Sequence, residues 1–262
     1  MPARTHGTSA AARWREWGLA GAALAPLALL FTRPSIPQDP QYHGLADTRA
    51  FLGIPNFADV ASNVAFLLVG IAGLALCCGR GTSGATRSWT VFFAGVVLVF
   101  FGSAWYHWSP DSAALVWDRL PMTIAFMALF TALVSEHAGG RFERVLLAPA
   151  LAVGIASVAW WAWSDDLRPY LWVQAAPLAC IVYVLFAYRG SYTHRSYLAW
   201  AFIAYGLAKA AEVYDHRIYA ITSQAFSGHT LKHLLAALGI CFIYLMLGRR
   251  KPSREKVPAA PL

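Results

Sequence analysis

The sequence predicts an all-α polytopic membrane protein: a seven-helix core bundle with one extra N-terminal transmembrane helix. Three observations predict it. The chain has 262 residues, 58% hydrophobic and only 13% charged, about half the charge of a soluble domain; a soluble protein of this size could not bury so much apolar surface. Eight apolar runs, near 14–31, 57–78, 88–108, 113–135, 145–163, 170–188, 196–214 and 228–248, reach the about 17–25 residues that cross a bilayer. Arg and Lys collect between those runs, as membrane topology requires.

The first run resembles a signal peptide but lacks a small-residue cleavage site before "FTRPSIPQDP", so it reads as a helix. Residues 1–53 then form the N-terminus, the extra helix and an outer loop whose part 32–56, rich in Pro and Asp, should pack over the bundle. Residues 54–248 form the core, and 249–262 a basic tail that reads as disordered. Placing the N-terminus in the cytoplasm puts 14 of the 21 basic residues inside: Arg4, Arg13, Arg15, Arg80, Arg87, Arg141, Arg144, Arg189, Arg195, Arg249, Arg250, Lys251, Arg254 and Lys256. Both termini are then cytoplasmic, and the chain is a multi-pass protein of the cell membrane. The net charge of +8 is not patched with exposed aromatics, which argues against a nucleic-acid partner. Cys77, Cys78, Cys180 and Cys241 lie in or beside apolar runs without CxxC spacing and read as small apolar residues.

Charged residues within spans are costly and mark functional hypotheses. Here they are Asp59, Asp118, Arg119, Lys209, Glu212, Asp215 and Lys232, and the topology places all of them in outer halves. That pattern fits a cavity opening outward. It opposes a proton relay, which needs polar residues through both halves. His107 ends the third span, and His229 and His233 lie in the first two turns of the last, at the same depth. Ser103 shares His107's helix face one turn deeper. Asp118 follows His107 by eleven residues, across the turn "SPDSA", with Asp111 or Ser112 as the helix cap. Three histidines with one open position form the arrangement of a catalytic zinc site. Such a metal lowers the pKa of its water toward ~7. Asp118 can then act as general base and acid, and Ser103 can donate to the oxyanion.

Plainer readings exist for each piece. A His pair can be hydrogen-bonded packing, Asp118 and Arg119 a surface ion pair, and Ser103 beside Gly102 a small packing residue. Lys209 and Glu212 are one turn apart and can neutralise each other. Lys232 points about 60° from His233 on an ideal helix, toward lipid headgroups or a partner carboxylate. Asp165 or Asp166 near the cap and Pro169 as an early helical residue account for the start of the sixth span.

The stretch "GSAWYHWSPDSAALVWDRLPM" (102–122) resembles the Ser-x-x-x-His…Asp motif of the alkaline ceramidases, in the superfamily that also holds the progestin and adiponectin receptors. "DHRIYAITSQAFSGHTLKHLLAALG" (215–239) is similar to that family's His-x-x-x-His segment, and "NFADVASNVAFLLVGIAGL" (56–74) to its Ser-Asn segment. The resemblance covers roughly 54–248 and fits a bacterial-type member, since Arg outnumbers Lys 17 to 4. It implies a seven-helix core, zinc held by His107, His229 and His233, and Ser103 and Asp118 as catalytic partners. The implied reaction is hydrolysis of the amide of ceramide, or of another N-acyl membrane lipid, to a fatty acid and an amine such as a sphingoid base. The alternative the resemblance leaves open is a receptor of the progestin and adiponectin receptor type that binds lipid without efficient turnover. Asn56 stands where the family's calcium site would need an acidic residue, which argues against calcium.

Overall fold

The computed structural model describes residues 10–79, 81, 82, 84–188 and 192–252. Most of the tail expected to be disordered, and the topology-setting Arg4, Arg80, Arg189, Arg254 and Lys256, lie outside the described residues. The chain is an all-α polytopic membrane protein. Its helices are α1 (Ala10–Phe31), α2 (Phe57–Ser62), α3 (Val64–Gly79), α4 (Thr86–Trp108), α5 (Ser112–Ala138), α6 (Arg141–Ser164), α7 (Arg168–Ala187), α8 (Ser196–Val213), α9 (Asp215–Ile221) and α10 (Gly228–Arg249). No strand forms among the described residues.

Every expected span falls on a helix. Six stretches are long and apolar enough to cross a membrane: Phe57–Gly79, α4, α5, α6, α7 and α10. Helices α1 and α8 occupy the first and seventh expected spans but fall outside that six. Arg15 and Glu16 in α1, and Lys209 and Glu212 in α8, lower their hydropathy. Around the bundle large apolar side chains face outward, Phe186 at 88% and Trp163 at 81% exposure. Lipid tolerates that surface and water does not.

Helix α5 is central, against α4, α6 and α7; α3 packs on α4, and α10 packs on α8 and α3. Helix α1 lies on α7, where Trp172 Nε1 donates to the Ala23 carbonyl at 2.8 Å and Tyr183 Oη to the Arg15 carbonyl at 3.2 Å. The core between these helices is apolar, with Trp89, Phe93, Val96, Leu133 and Ile181 buried. Gly102 brings α4 hard against α5: a Cβ there would collide with the Trp117 carbonyl oxygen and lie 3.3 Å from Pro121 Cγ. Asp111 caps α5, accepting from Ala114 N at 2.7 Å.

The loop 32–56 does pack over one end of the bundle. Gln38 N donates to Asp165 Oδ1 at 2.9 Å, Ile36 N to Asp166 Oδ1 at 3.3 Å, and Leu167 N to the Ile36 carbonyl at 2.8 Å. Pro169 is an early helical residue as expected, but the cap of α7 is Leu167. Asp165 instead ends α6 in the left-handed region (φ 52°), and Asp166 grips the Arg168 side chain. Those Arg168 hydrogen bonds hold the Asp166 carboxyl down at about 2. A depressed folded-state pKa gives stability that is complete above the unfolded value, about 3.9, and lost as pH falls through the folded one. A spin label at exposed Gln41 should therefore stay immobilised from neutral pH to about pH 4. It should loosen only toward pH 2; loosening near pH 6 would assign control of the loop to another group.

The opposite end of the bundle adds a buried charge pair to the reading that charged residues within the spans keep to their outer halves. Glu136, in the last turns of α5, and Arg250, just past α10, form a buried ion pair at 2.5 Å. Trp89 Nε1 donates to Glu136 at 2.7 Å, and Arg250 also reaches the Thr82 carbonyl at 2.7 Å. The sequence reading placed both ionisable groups outside the spans. An apolar core lies between the two polar ends.

Candidate metal centre

His107 sits at the last turn of α4, and its neighbours fix it from the backbone outward. Asn56, in the left-handed conformation that asparagine tolerates (φ 46°), donates from Nδ2 to the His107 carbonyl at 2.8 Å. Next to it, Tyr106 Oη meets His43 Nδ1 at 3.1 Å, and His43 Nε2 meets Ser112 Oγ at 3.2 Å. The loop thus ties down the turn between α4 and α5.

His229 and His233 lie one turn apart at the start of α10. Ser227 caps this helix, accepting from Thr230 N at 2.9 Å. Ser227 and Thr230 both donate to Asp59 Oδ1, at 3.0 and 2.6 Å, which fastens α10 to α2. Asp215 accepts from His229 N at 2.8 Å and Ala46 N at 3.1 Å, fastening it to α9 and the loop. Gly228 permits the close approach: a Cβ there would collide with the Ala211 carbonyl oxygen and stand 2.6 Å from Asp215 Cα.

The helix break between α2 and α3 places the next partner. Asn63 Nδ2 donates to the Asp59 carbonyl at 2.8 Å and Ser62 Oγ to the same carbonyl at 3.0 Å, side-chain bonds that compete with the helical ladder. With its proton used there, Ser62 Oγ accepts from His233 Nδ1, 2.8 Å away. The tautomer follows from that network: His233 Nε2 keeps its lone pair and has no partner.

The three histidines meet. Ring centroids are 4.6 Å apart for His107–His229, 4.8 Å for His107–His233 and 5.0 Å for His229–His233. One ligand nitrogen from each lies within 4.8 Å of the others, and all three rings are buried. Neither nitrogen of His107 has a partner. Buried polar atoms left unpaired are costly, and a cation between the rings would satisfy one nitrogen of His107 together with His233 Nε2. The three histidines therefore form a group that can hold a metal ion.

Lys232, without an assigned partner in the sequence, finds one here. Its ammonium lies 2.6 Å from Glu212 and 3.3 Å from His229 Nε2, so the headgroup alternative is overturned. A metal bound through His229 Nε2 would displace this ammonium, which Glu212 would still hold. Lys209 does pair with Glu212 as expected, but from an exposed position. Tyr42 Oη donates to Glu212 Oε1 at 3.0 Å. Burial, and then the Glu212 charge, push the Tyr42 phenol well above its ordinary range, so it remains a donor.

Ser103 and Asp118 are buried side by side and line the same cavity as His233, about 410 Å³ in volume. Arg119, Glu212, Lys232 and Gln38 also line it, and another stretch of its wall is apolar, with Phe66, Val96, Leu129, Ile181, Ile240 and Ile243. The surface ion pair considered for Asp118 and Arg119 is overturned: Arg119 is buried and bonds Gln38 Oε1 at 2.6 Å. Ser62 belongs to the Ser-Asn pair that the resemblance picks out in 56–74, but its bond to His233 was not anticipated. The sequence reading also missed the reach of Tyr42, His43 and Ala46, which lie on a loop without periodicity.

Outer partners of metal-ligating histidines typically matter 10–100-fold in metal affinity. Ser62→Ala should weaken metal binding by roughly that factor, measured by chelator competition. Unchanged affinity would remove Ser62 from the site.

No protein-family model matches the chain. A search of curated proteins returned no match.

Proposed function

We propose that this chain is a zinc-dependent membrane hydrolase that cleaves the amide of ceramide-like lipids, related to the alkaline ceramidases. The observation that carries the reading is one cavity with two characters. His233, the Asp118 carboxylate and the Ser103 hydroxyl line it, with the buried His107 and His229 rings against His233, and much of the rest of its wall is apolar. Its volume of about 410 Å³ lies in the range of small-molecule sites, and its walls suit an acyl chain.

His107, His229 and His233 would hold the metal. An N₃ donor set with an open position suits zinc, which supplies Lewis acidity and makes water nucleophilic near neutral pH. Asp118 takes the proton of the attacking water on a carboxylate oxygen and returns it to the amide nitrogen as the C–N bond breaks. Ser103 donates to the oxygen of the carbonyl under attack. Ser62 fixes the His233 tautomer, and Asp59 and Asp215 hold the first turn of α10 in place. The apolar wall binds the acyl chain and keeps bulk water from the reacting carbonyl. The site faces the outer side of the membrane in this reading, with both termini in the cytoplasm.

The test is a panel of labelled ceramides and other N-acyl lipids, given to the purified protein in lipid nanodiscs. Fatty acid should be released, cease with a chelator and return with zinc. Saturable lipid binding with no release from any substrate would support the receptor reading instead.

A further inference from the structure

Arg119 is a buried cation that the catalytic scheme leaves unused. It is 5% exposed, on α5 next to Asp118, and lines the same cavity. Its one hydrogen bond goes from Nη2 to the neutral Gln38 amide, while Nη1 is buried without a partner. Its guanidinium lies over Trp161 at 4.1 Å, Tyr170 at 4.8 Å and Tyr42 at 5.6 Å. Among the described residues no carboxylate lies within ion-pair distance of it. The carboxylates lining the cavity are engaged: Glu212 by Lys232 and Lys209, Asp39 by Gln41 N at 2.8 Å, and Asp118, near enough for its charge to act on Arg119 but not paired with it, by Ser103.

A buried guanidinium without an ion-pair partner is strongly unfavourable. Aromatic faces offset part of that cost, but they leave the planar N–H fork unfilled. That fork matches the two oxygens of a carboxylate or phosphate. Gln38, Pro37 and Ile36 of the loop line the same part of the cavity, so a group bound there lies under the loop.

We infer that Arg119 recognises an anionic headgroup, a carboxylate or phosphate, on the lipid whose amide lies at the histidines. This rests on the hydrolase reading for the position of the amide and narrows the N-acyl lipids the site takes to those whose amine part carries an acid, a phosphorylated ceramide or an N-acyl amino acid rather than ceramide itself.

The experiment measures binding of ligands that cannot be cleaved. These are long-chain sulfonamides of glycine, of ethanolamine and of ethanolamine phosphate, titrated into the purified full-length protein. The glycine or the phosphate compound should bind at least roughly tenfold tighter than the neutral one, as a charge-assisted hydrogen bond provides. Arg119→Gln should bring the ratio to about one, and Arg119→Lys should retain part of it. Gln38→Glu places a carboxylate on the guanidinium and should also abolish the preference, which covers the case in which Arg119→Gln does not fold. Equal affinities in the wild type overturn the inference, as does a preference that survives Arg119→Gln or Gln38→Glu. Arg119 would then be held by Gln38 and the rings alone. A failure of lipid turnover would sink the hydrolase reading and leave this binding result standing.

Discussion

Asp118→Asn should lower lipid amide turnover by roughly 10²–10⁴-fold while leaving the metal content unchanged. The substitution keeps the shape of the side chain and removes its capacity to accept a proton. The position is set by other residues: Asp111 caps α5, and Gly102 lets α4 press on α5 so that Ser103 lies beside Asp118. The backbone should therefore hold in the variant. Measuring zinc per chain alongside kcat separates a lost base from a lost site. Turnover within about twofold of the wild type would take Asp118 out of the proton transfer.

His229→Ala should have a larger effect, removing metal and activity together. A four-coordinate site with three protein ligands loses one of them, and His107 and His233 remain at a ring-centroid distance of 4.8 Å. Lys232 also loses its neighbour and falls back on Glu212. Metal analysis should read about one zinc per chain in the wild type and near background in the variant. Circular dichroism of both should agree, since Ser227, Thr230 and Asp59 still fasten α10 to α2. Undiminished zinc in His229→Ala would sink the ligand assignment.

Much of this architecture was legible in the sequence, for physical reasons. Lipid penalises exposed polar backbone, so long apolar runs have to be helices, and every expected span from 14–31 to 228–248 falls on one. The i, i+4 spacing of His229 and His233, and the short turn between His107 and Asp118, confine those side chains to one end of neighbouring helices. The rest depends on contacts between distant segments that carry no local period. The Ser62 bond to His233 spans 171 residues and the Tyr42 bond to Glu212 spans 170. Arg119 looked like half of a surface ion pair because Asp118 adjoins it in sequence, yet adjacent residues on a helix point about 100° apart. Glu136 and Arg250 looked like flanking charges because burial at a helix end depends on what lies across from it, here Trp89 and the Thr82 carbonyl.

The central claim is that His107, His229 and His233 hold one zinc ion. X-ray absorption at the zinc edge of the purified protein tests it most directly. The account predicts one zinc per chain with nitrogen or oxygen neighbours at about 2.0–2.1 Å, three of them showing the outer-shell scattering of imidazole rings. Absence of zinc after purification with zinc supplied, or a first shell dominated by sulfur at about 2.3 Å, would contradict it.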